Sequence, residues 1–256
     1  MEIRMLYAER VKLILRQLEL QSMVKISDLT ELLHVSDDTI RRDLKSREER
    51  GVDRSIRGGA CLPAVVDVLS RFAGREIANS EKKREAARKA AKYVKTGSVV
   101  ALNSGTTNVI LAQELAGRKD RFTVVSNNLA ALNLLMENTN IRLIAVGGEI
   151  DPAERSACGA DCERLFAQYY PDTAFLSIGA VNCADGFTDC RFSEMGIVRV
   201  LAEHAKEVIA VMDSSKLGKR SQAKLLELKD VDRLVTDNAL SQTVWQEYRE
   251  AGLIIE

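Results

Sequence analysis

The sequence predicts an α/β chain in two parts: a small helical domain, then a larger domain built on a parallel sheet. Two observations carry this. In the first fifty residues apolar side chains recur at helical spacing in three short blocks. From Ser98 onward, short runs of Val, Ile and Leu alternate with helical patterns, as in a parallel sheet covered on both faces. A chain of 256 residues can build two cores, and 46% hydrophobic with 29% charged residues is ordinary for a globular protein. The expected division is 1–60 for the helical domain, 61–80 for a linker and 81–256 for the sheet domain.

The first helix is expected from Ala8 to Leu20, with Val11, Ile14, Leu15 and Leu18 inside and Glu9, Lys12, Arg16 and Gln17 outside. A second spans Ser27 to Leu33, with Ile26, Leu29, Leu32 and Leu33 as its apolar stripe. The third begins at Ser36, which can cap the first free N–H groups, while Asp37 and Asp38 suit the positive end of the helix dipole. Ile40 and Leu44 lie four apart and can pack inward, leaving Thr39, Arg41, Arg42 and Lys45 to face out. His34-Val35-Ser36 allows only a sharp turn, so the pair of helices reads as a helix-turn-helix. Gly51 can stop the third helix, and the alternating residues up to Gly58-Gly59 form a small hairpin, a wing that carries Arg54 and Arg57.

A formal net charge of zero excludes a molecule coated in basic charge, but Arg41 to Arg57 holds seven Lys or Arg against four acids. Arg41 and Arg42 could simply pair with Asp37 and Asp38 four residues earlier, which is worth a few tenths of a kcal/mol. The helix-turn-helix context favours contact with phosphates and guanine edges of double-stranded DNA, with Ser36 and Thr39 near the helix start touching the backbone.

Cys61 to about Ser80 connects the two parts, and a helix is expected from Glu81 to Lys95. Buried-type strands follow at Val99–Leu102, Phe122–Ser126, Ile141–Val146, Thr173–Ile178, Val208–Met212 and Arg233–Thr236. Helices are expected at Asn108–Ala116, Leu129–Asn138, Phe192–His204 and Gln242–Glu250. In such sheets ligands bind beyond the C-terminal strand ends. The loops there carry Asn103, Ser104, Gly105, Thr106 and Thr107; Ser126 and Asn127; Gly147 and Gly148; Asp185 and Asp189; and Lys216. Gly105 permits close backbone approach, and a helix starting near Thr107 aims free N–H groups at the same point, a cradle fit for phosphate. Neither a Walker A loop nor a dinucleotide fingerprint is present. By itself Ser-Gly-Thr-Thr is more often a helix cap, but together with Lys216 and the neighbouring loops it reads as a site for a small anionic, hydroxylated ligand. Asp185, Asp189 and Glu194 could cap the helix near Phe192, bind sugar hydroxyls, or serve as bases.

Five scattered cysteines make a poor disulfide framework, and Cys158 with Cys162 do not complete a zinc site. No metal or cofactor is expected. There is no membrane-spanning run and no signal peptide, so the expected location is the cytoplasm.

These residues resemble the DeoR family of bacterial transcription regulators over nearly the whole chain. The likeness rests on Val35-Ser36, Thr39-Ile40-Arg41-Arg42-Asp43-Leu44, Glu48-Glu49-Arg50-Gly51 and Gly58-Gly59-Ala60. It continues through Ser104-Gly105-Thr106-Thr107, Ser126-Asn127, Gly147-Gly148, Gly186-Phe187-Thr188-Asp189 and Asp213-Ser214-Ser215-Lys216. The resemblance implies a winged helix-turn-helix domain and a Rossmann-like sensor domain similar in fold to ribose-5-phosphate isomerase. It also implies a phosphorylated sugar or related metabolite that alters operator binding, usually by relieving repression. Four residues depart from the family pattern: Arg47 for a leucine, Asp53 for an apolar residue, Arg57 for a histidine and Asn103 for an aspartate. Arg47 and Asp53 could satisfy each other.

The leading function is therefore a metabolite-responsive repressor of a carbohydrate-metabolism operon, not an enzyme. It is expected to be a homo-oligomer, dimer or tetramer, because paired recognition helices read two half-sites. A sugar-phosphate isomerase with an appended DNA-binding domain, and an architectural DNA-binding protein whose second domain only oligomerises, are the alternatives.

Overall fold

The computed structural model describes residues 7–21, 23–48, 54–56, 59–61 and 72–256. The chain divides after Ala78 into two units. The first contains α1 (Tyr7–Gln21), β1 (Met23–Lys25), α2 (Ile26–Leu33), α3 (Asp37–Glu48), β2 (Arg54–Ile56), β3 (Gly59–Cys61) and α4 (Phe72–Ile77). Ile14, Val24, Ile26, Leu29, Leu33, Ile40 and Leu44 gather into one buried cluster. Leu32 leaves the expected stripe and is 46% exposed. At about 100° per residue it lies about 120° around α2 from Ile26, whereas Leu29 and Leu33 stay within about 60°.

His34 ends α2 in the left-handed conformation (φ 50°). The Ser36 carbonyl then accepts from the Thr39 and Ile40 N–H groups at 3.0 and 3.2 Å, and its Oγ accepts from Thr39 N at 3.4 Å, as a capping residue should. The wing is present: β2 and β3 pair antiparallel with Arg54 opposite Cys61 and Ile56 opposite Gly59. A third strand, β1, joins it in the order β1-β3-β2. Arg57, Asp53 and the side chains of Lys45, Arg47 and Arg54 lie outside the described residues.

The second unit opens with α5 (Ser80–Ala90) and continues through β4 (Val99–Leu102), α6 (Thr106–Ala116), β5 (Phe122–Ser126), α7 (Leu129–Leu135) and β6 (Ile141–Ala145). After the hairpin β7 (Glu149–Asp151) and β8 (Ser156–Cys158) come α8 (Gly159–Phe166) and β9 (Thr173–Leu176). Next are β10 (Ala180–Asn182), β11 (Gly186–Asp189), α9 (Met195–His204), β12 (Val208–Val211) and β13 (Ala223–Leu226). The unit ends with β14 (Arg233–Val235), α10 (Gln242–Glu250) and β15 (Ile254–Ile255).

Seven strands form one sheet in the order β15-β14-β12-β9-β4-β5-β6, parallel throughout. Its central strands, β4, β5, β9 and β12, are buried on both faces, while the edge strands β6 and β15 are partly exposed. Ala101, Ala174, Leu176, Val208 and Ala210 belong to a core shared with Phe166 of α8, Ile197, Val198 and Leu201 of α9, and Tyr248 of α10. The residues of opposite parity, Val100, Leu102, Phe175, Ile209 and Val211, are equally buried, and α5 and α7 meet the sheet through β12, β14, β5 and β6. An antiparallel sheet, β10-β11-β13, and the β7–β8 hairpin are additions that the periodicity did not predict. Among the described residues no helix is long and apolar enough to cross a membrane.

Candidate functional site

The order of the seven-stranded sheet reverses at β4. From there β5 and β6 extend one way, while β9, β12, β14 and β15 extend the other. A ligand crevice is expected at such a switch point, beyond the C-terminal ends of β4 and β9. The loops that leave those two strands, 103–105 and 177–179, meet there.

Asn103 joins them. Its Oδ1 accepts from Ser177 N at 2.8 Å and from Asn108 Nδ2 at 2.9 Å, and its Nδ2 donates to Ser177 O at 3.2 Å. Gly105 follows with φ 126°, and a Cβ on it would stand 2.5 Å from Ser177 Oγ and 3.1 Å from Arg191 Nη1. Only glycine lets the chain pass there and turn into α6, whose first residues are Thr106 and Thr107. The first-turn N–H groups of α6 therefore point out of the sheet edge.

Arg191, absent from the sequence-based set, is the centre of the cluster. Its guanidinium grips Asp189 through Nε (3.1 Å) and Nη2 (2.6 Å). It also donates to Ser104 O and Oγ at 3.1 Å each and to Ser177 O at 2.7 Å. Both ions are buried. Burial alone would push the Asp189 carboxyl up, but Arg191 more than offsets it and holds it at about 2. Burial likewise opposes the Arg191 charge, and Asp189 raises its pKa above the usual arginine value. A sequence signal existed: an acid and an arginine two apart where the chain leaves β11.

Glu194 is fully buried. It accepts from Asn103 Nδ2 at 3.4 Å, Ser104 N at 3.3 Å and Asn127 Nδ2 at 3.1 Å. Burial raises its pKa, against the opposing pull of Arg191 and the two hydrogen-bonding loops. Ser126 is also committed, donating to Leu102 O at 2.7 Å and accepting from Asn128 N at 3.1 Å.

Lys216 stands at the end of the β12 loop and donates to Ile178 O at 2.8 Å. Burial lowers its pKa to about 8; Asp213 opposes the shift, and the positive charges of Lys83 and Arg191 add to it. Lys83, buried in α5, is a second cation that the sequence set lacks.

The structure therefore brings together Asn103, Ser104, Gly105, Thr106, Thr107, Ser126, Asn127, Asp189, Glu194 and Lys216. It does not bring in the remaining three. Asp185 sits in the turn at the other end of β11 from Asp189, bonded to Asn182 and 3.9 Å from Arg220. Gly147 and Gly148 lie beside α8, lining a cavity of about 560 Å³ with Asp161, Arg164, Leu165 and Gln168. Another cavity, of about 690 Å³, opens at the opposite, N-terminal strand ends around Ser98, Thr173 and Arg233.

In the first unit α3 presents a second candidate surface. Ile40 and Leu44 are buried, and Arg41 and Arg42 are exposed. Among the described residues neither arginine pairs with Asp37 or Asp38, so the alternative of simple surface pairing is not realised. Ser36 and Thr39 share a hydroxyl–hydroxyl bond of 3.0 Å at the helix start. Asp43 turns the other way and clasps Arg10 of α1 at 2.7 and 3.1 Å. Its position, about 60° from Ile40, puts an acid at the rim of the buried face, where a cation is needed.

Models of two known domains match the chain. The DeoR-like helix-turn-helix domain matches residues 10–64, and the DeoR C-terminal sensor domain matches residues 78–238. The transcriptional regulator GolR of Listeria innocua is 30% identical over 97% of both chains. The transcriptional repressor GlcR of Bacillus subtilis is 32% identical over 91% of this chain and 90% of its own. The glycerol-3-phosphate regulon repressor of Escherichia coli is 29% identical over 85% of both. Among solved structures, ribose 5-phosphate isomerase A of Methanocaldococcus jannaschii is 21% identical over 55% of both chains, with a TM-score of 0.41.

Proposed function

Because this chain belongs to the DeoR family of transcription regulators, we propose that it represses a carbohydrate-metabolism operon and that a phosphorylated sugar or related metabolite modulates its hold on operator DNA. One observation carries the ligand class. With Asp189 held by Arg191 and Glu194 held by Asn103, Ser104 N and Asn127, Lys216 is a half-buried lysine whose hydrogen-bond partner among the described residues is a single neutral carbonyl. It lies at the same sheet edge as the N-terminal end of α6, whose dipole favours an anion. A phosphate monoester satisfies both, and its sugar hydroxyls suit Thr106, Thr107 and Asn127. A relative named as the repressor of the glycerol-3-phosphate regulon supports a carbohydrate context.

DNA is read by α3 in this proposal. Arg41 and Arg42 contact phosphates and guanine edges, Ser36, Thr39 and Lys45 contact the backbone, and Arg54 and Arg57 bring the wing against it. Two copies read two half-sites, so the working form is a homo-oligomer. The protein acts by binding and performs no turnover.

The test is a thermal-shift screen of phosphorylated sugars on the full chain, followed by operator binding with each hit. A compound that raises Tm and weakens operator affinity is the expected result. Turnover of pentose or hexose phosphates would instead make the protein an isomerase, and a hit that leaves operator affinity unchanged would remove the effector role.

A further inference from the structure

The sensor unit begins at Asn79, immediately after the point where the two units divide. Asn79 is left-handed (φ 55°, ψ 32°), a conformation that asparagine adopts more readily than most L-residues. Its carbonyl accepts from Lys83 N at 3.0 Å, so it opens α5, yet its side chain does not cap that helix. The amide instead donates across the fold to Asp213 Oδ1 at 3.1 Å and Ser215 Oγ at 2.8 Å. Lys82 Nζ, one turn further on, donates to Ser214 Oγ at 3.0 Å. The start of α5 is thus held at three points by one short turn, 213–215, that follows β12.

The same turn carries Lys216. Its backbone N–H donates to Asp213 O at 3.1 Å, and its ammonium reaches Ile178 O, next to Ser177, which Arg191 holds. Asp237 anchors the turn from the far side, accepting from Ser214 N at 2.6 Å and Ser214 Oγ at 2.9 Å. One end of a four-residue segment therefore touches the proposed ligand cradle. The other end holds the residue at which the chain leaves the sensor unit.

We propose that the 213–216 turn is a relay. A ligand that takes the Lys216 ammonium from Ile178 O shifts the turn, and the shift is read by Asn79 and Lys82 as a change in the backbone that leads to α4 and the DNA-binding unit. Asn79 is a positioning residue: it conveys occupancy without touching the ligand. This rests on the proposal that an anionic effector binds at Lys216. Two discrete states of one element, biased by both sites, are what such coupling requires.

Hydrogen exchange on the full chain tests it, with ribose 5-phosphate, glucose 6-phosphate and glycerol 3-phosphate as probes. In the wild type, the probe that raises Tm is expected to change exchange at α4 amides (Phe72–Ile77) by about fivefold or more. Asn79→Gly keeps the left-handed backbone and removes the amide; Ser215→Ala removes one of its partners. Both are expected to bind the probe within about threefold of wild type and to lose the α4 response. A full α4 response in both variants overturns the relay and leaves the effector site standing. No Tm shift and no exchange change in the wild type with any probe removes the effector site and the relay together.

Discussion

Raising the pH from 7 to 9 should weaken binding of a phosphorylated sugar about tenfold, because Lys216 loses its proton in that window. Burial holds its pKa at about 8, with Lys83 and Arg191 adding to the shift and Asp213 opposing it. A phosphate monoester has its second pKa near 6, so the ligand remains a dianion throughout. If only the ammonium binds, the competent fraction falls from about 90% at pH 7 to about 10% at pH 9. That is a factor of ten, or about 1.4 kcal/mol. Stability moves the other way. The folded-state pKa lies below the ordinary 10.5, so the folded chain releases this proton first, and the cost of burying the charge is relieved as pH rises above 8. Above about pH 9 the Cys162 and Cys183 thiols, pushed up by burial to about 12 and about 11, reverse that trend, since they ionise in the unfolded chain alone. Titration calorimetry at pH 7, 8 and 9, with Tm followed in parallel, separates the two effects. Lys216→Arg keeps its charge and should give a flat profile. Equal wild-type affinity at pH 7 and 9, or a parallel fall in Lys216→Arg, would refute the role of this ammonium.

Asp189→Asn leaves the Arg191 guanidinium buried against a neutral amide and should cost about 3–5 kcal/mol in urea unfolding. The wild type should keep the Asp189 contribution above about pH 4 and lose it as pH falls through 2, because the folded pKa is lowered from 3.8 to about 2; a variant as stable as wild type at pH 7 would contradict this. Arg41→Ala and Arg42→Ala, at exposed positions, should leave stability within about 0.5 kcal/mol. Each should abolish specific operator binding and lower the salt slope by about 0.9 for every phosphate left without its arginine, read by fluorescence anisotropy. Asn103→Asp sets a second carboxylate against Glu194, so the pair should retain a proton and stability should fall as pH rises from about 5 to 7. A pH-independent difference from wild type would mean that the two carboxyls do not interact.

The fold was legible wherever burial left a long periodic trace. Val99–Leu102 and Phe122–Ser126 are buried from both sides, so they read as continuous apolar runs, and the structure gives the same bounds. α3 was readable because its cap, its inward Ile40 and Leu44 and its outward arginines agree with one another. The hairpin of Glu149–Asp151 with Ser156–Cys158 was not, since three-residue strands carry no measurable alternation and the first is largely exposed. Cys158 and Cys162 have the four-residue spacing of one helical face, yet Cys158 precedes α8 and only Cys162 lies within it.

At the sheet edge the residue types were legible and their division of labour was not. Hydroxyls, amides, acids and cations announce a polar site, but only geometry shows which of them are consumed in building it. Asn103 spends its amide on both Ser177 backbone groups and on Glu194, so it ties β4 to β9 and has little left for a ligand. An aspartate there could accept from Ser177 N and Asn108 but would face the Ser177 carbonyl and Glu194 without a proton to give. Asparagine at this position therefore fits a buried Glu194, and the departure from the family pattern changes the wall of the site more than its mouth. Arg191 is consumed in the same way, by Asp189, Ser104 and Ser177. Subtracting these spent groups leaves the Lys216 ammonium, held by one carbonyl, beside the N-terminal end of α6. An anionic effector of the kind proposed would meet that helix dipole end and this cation together.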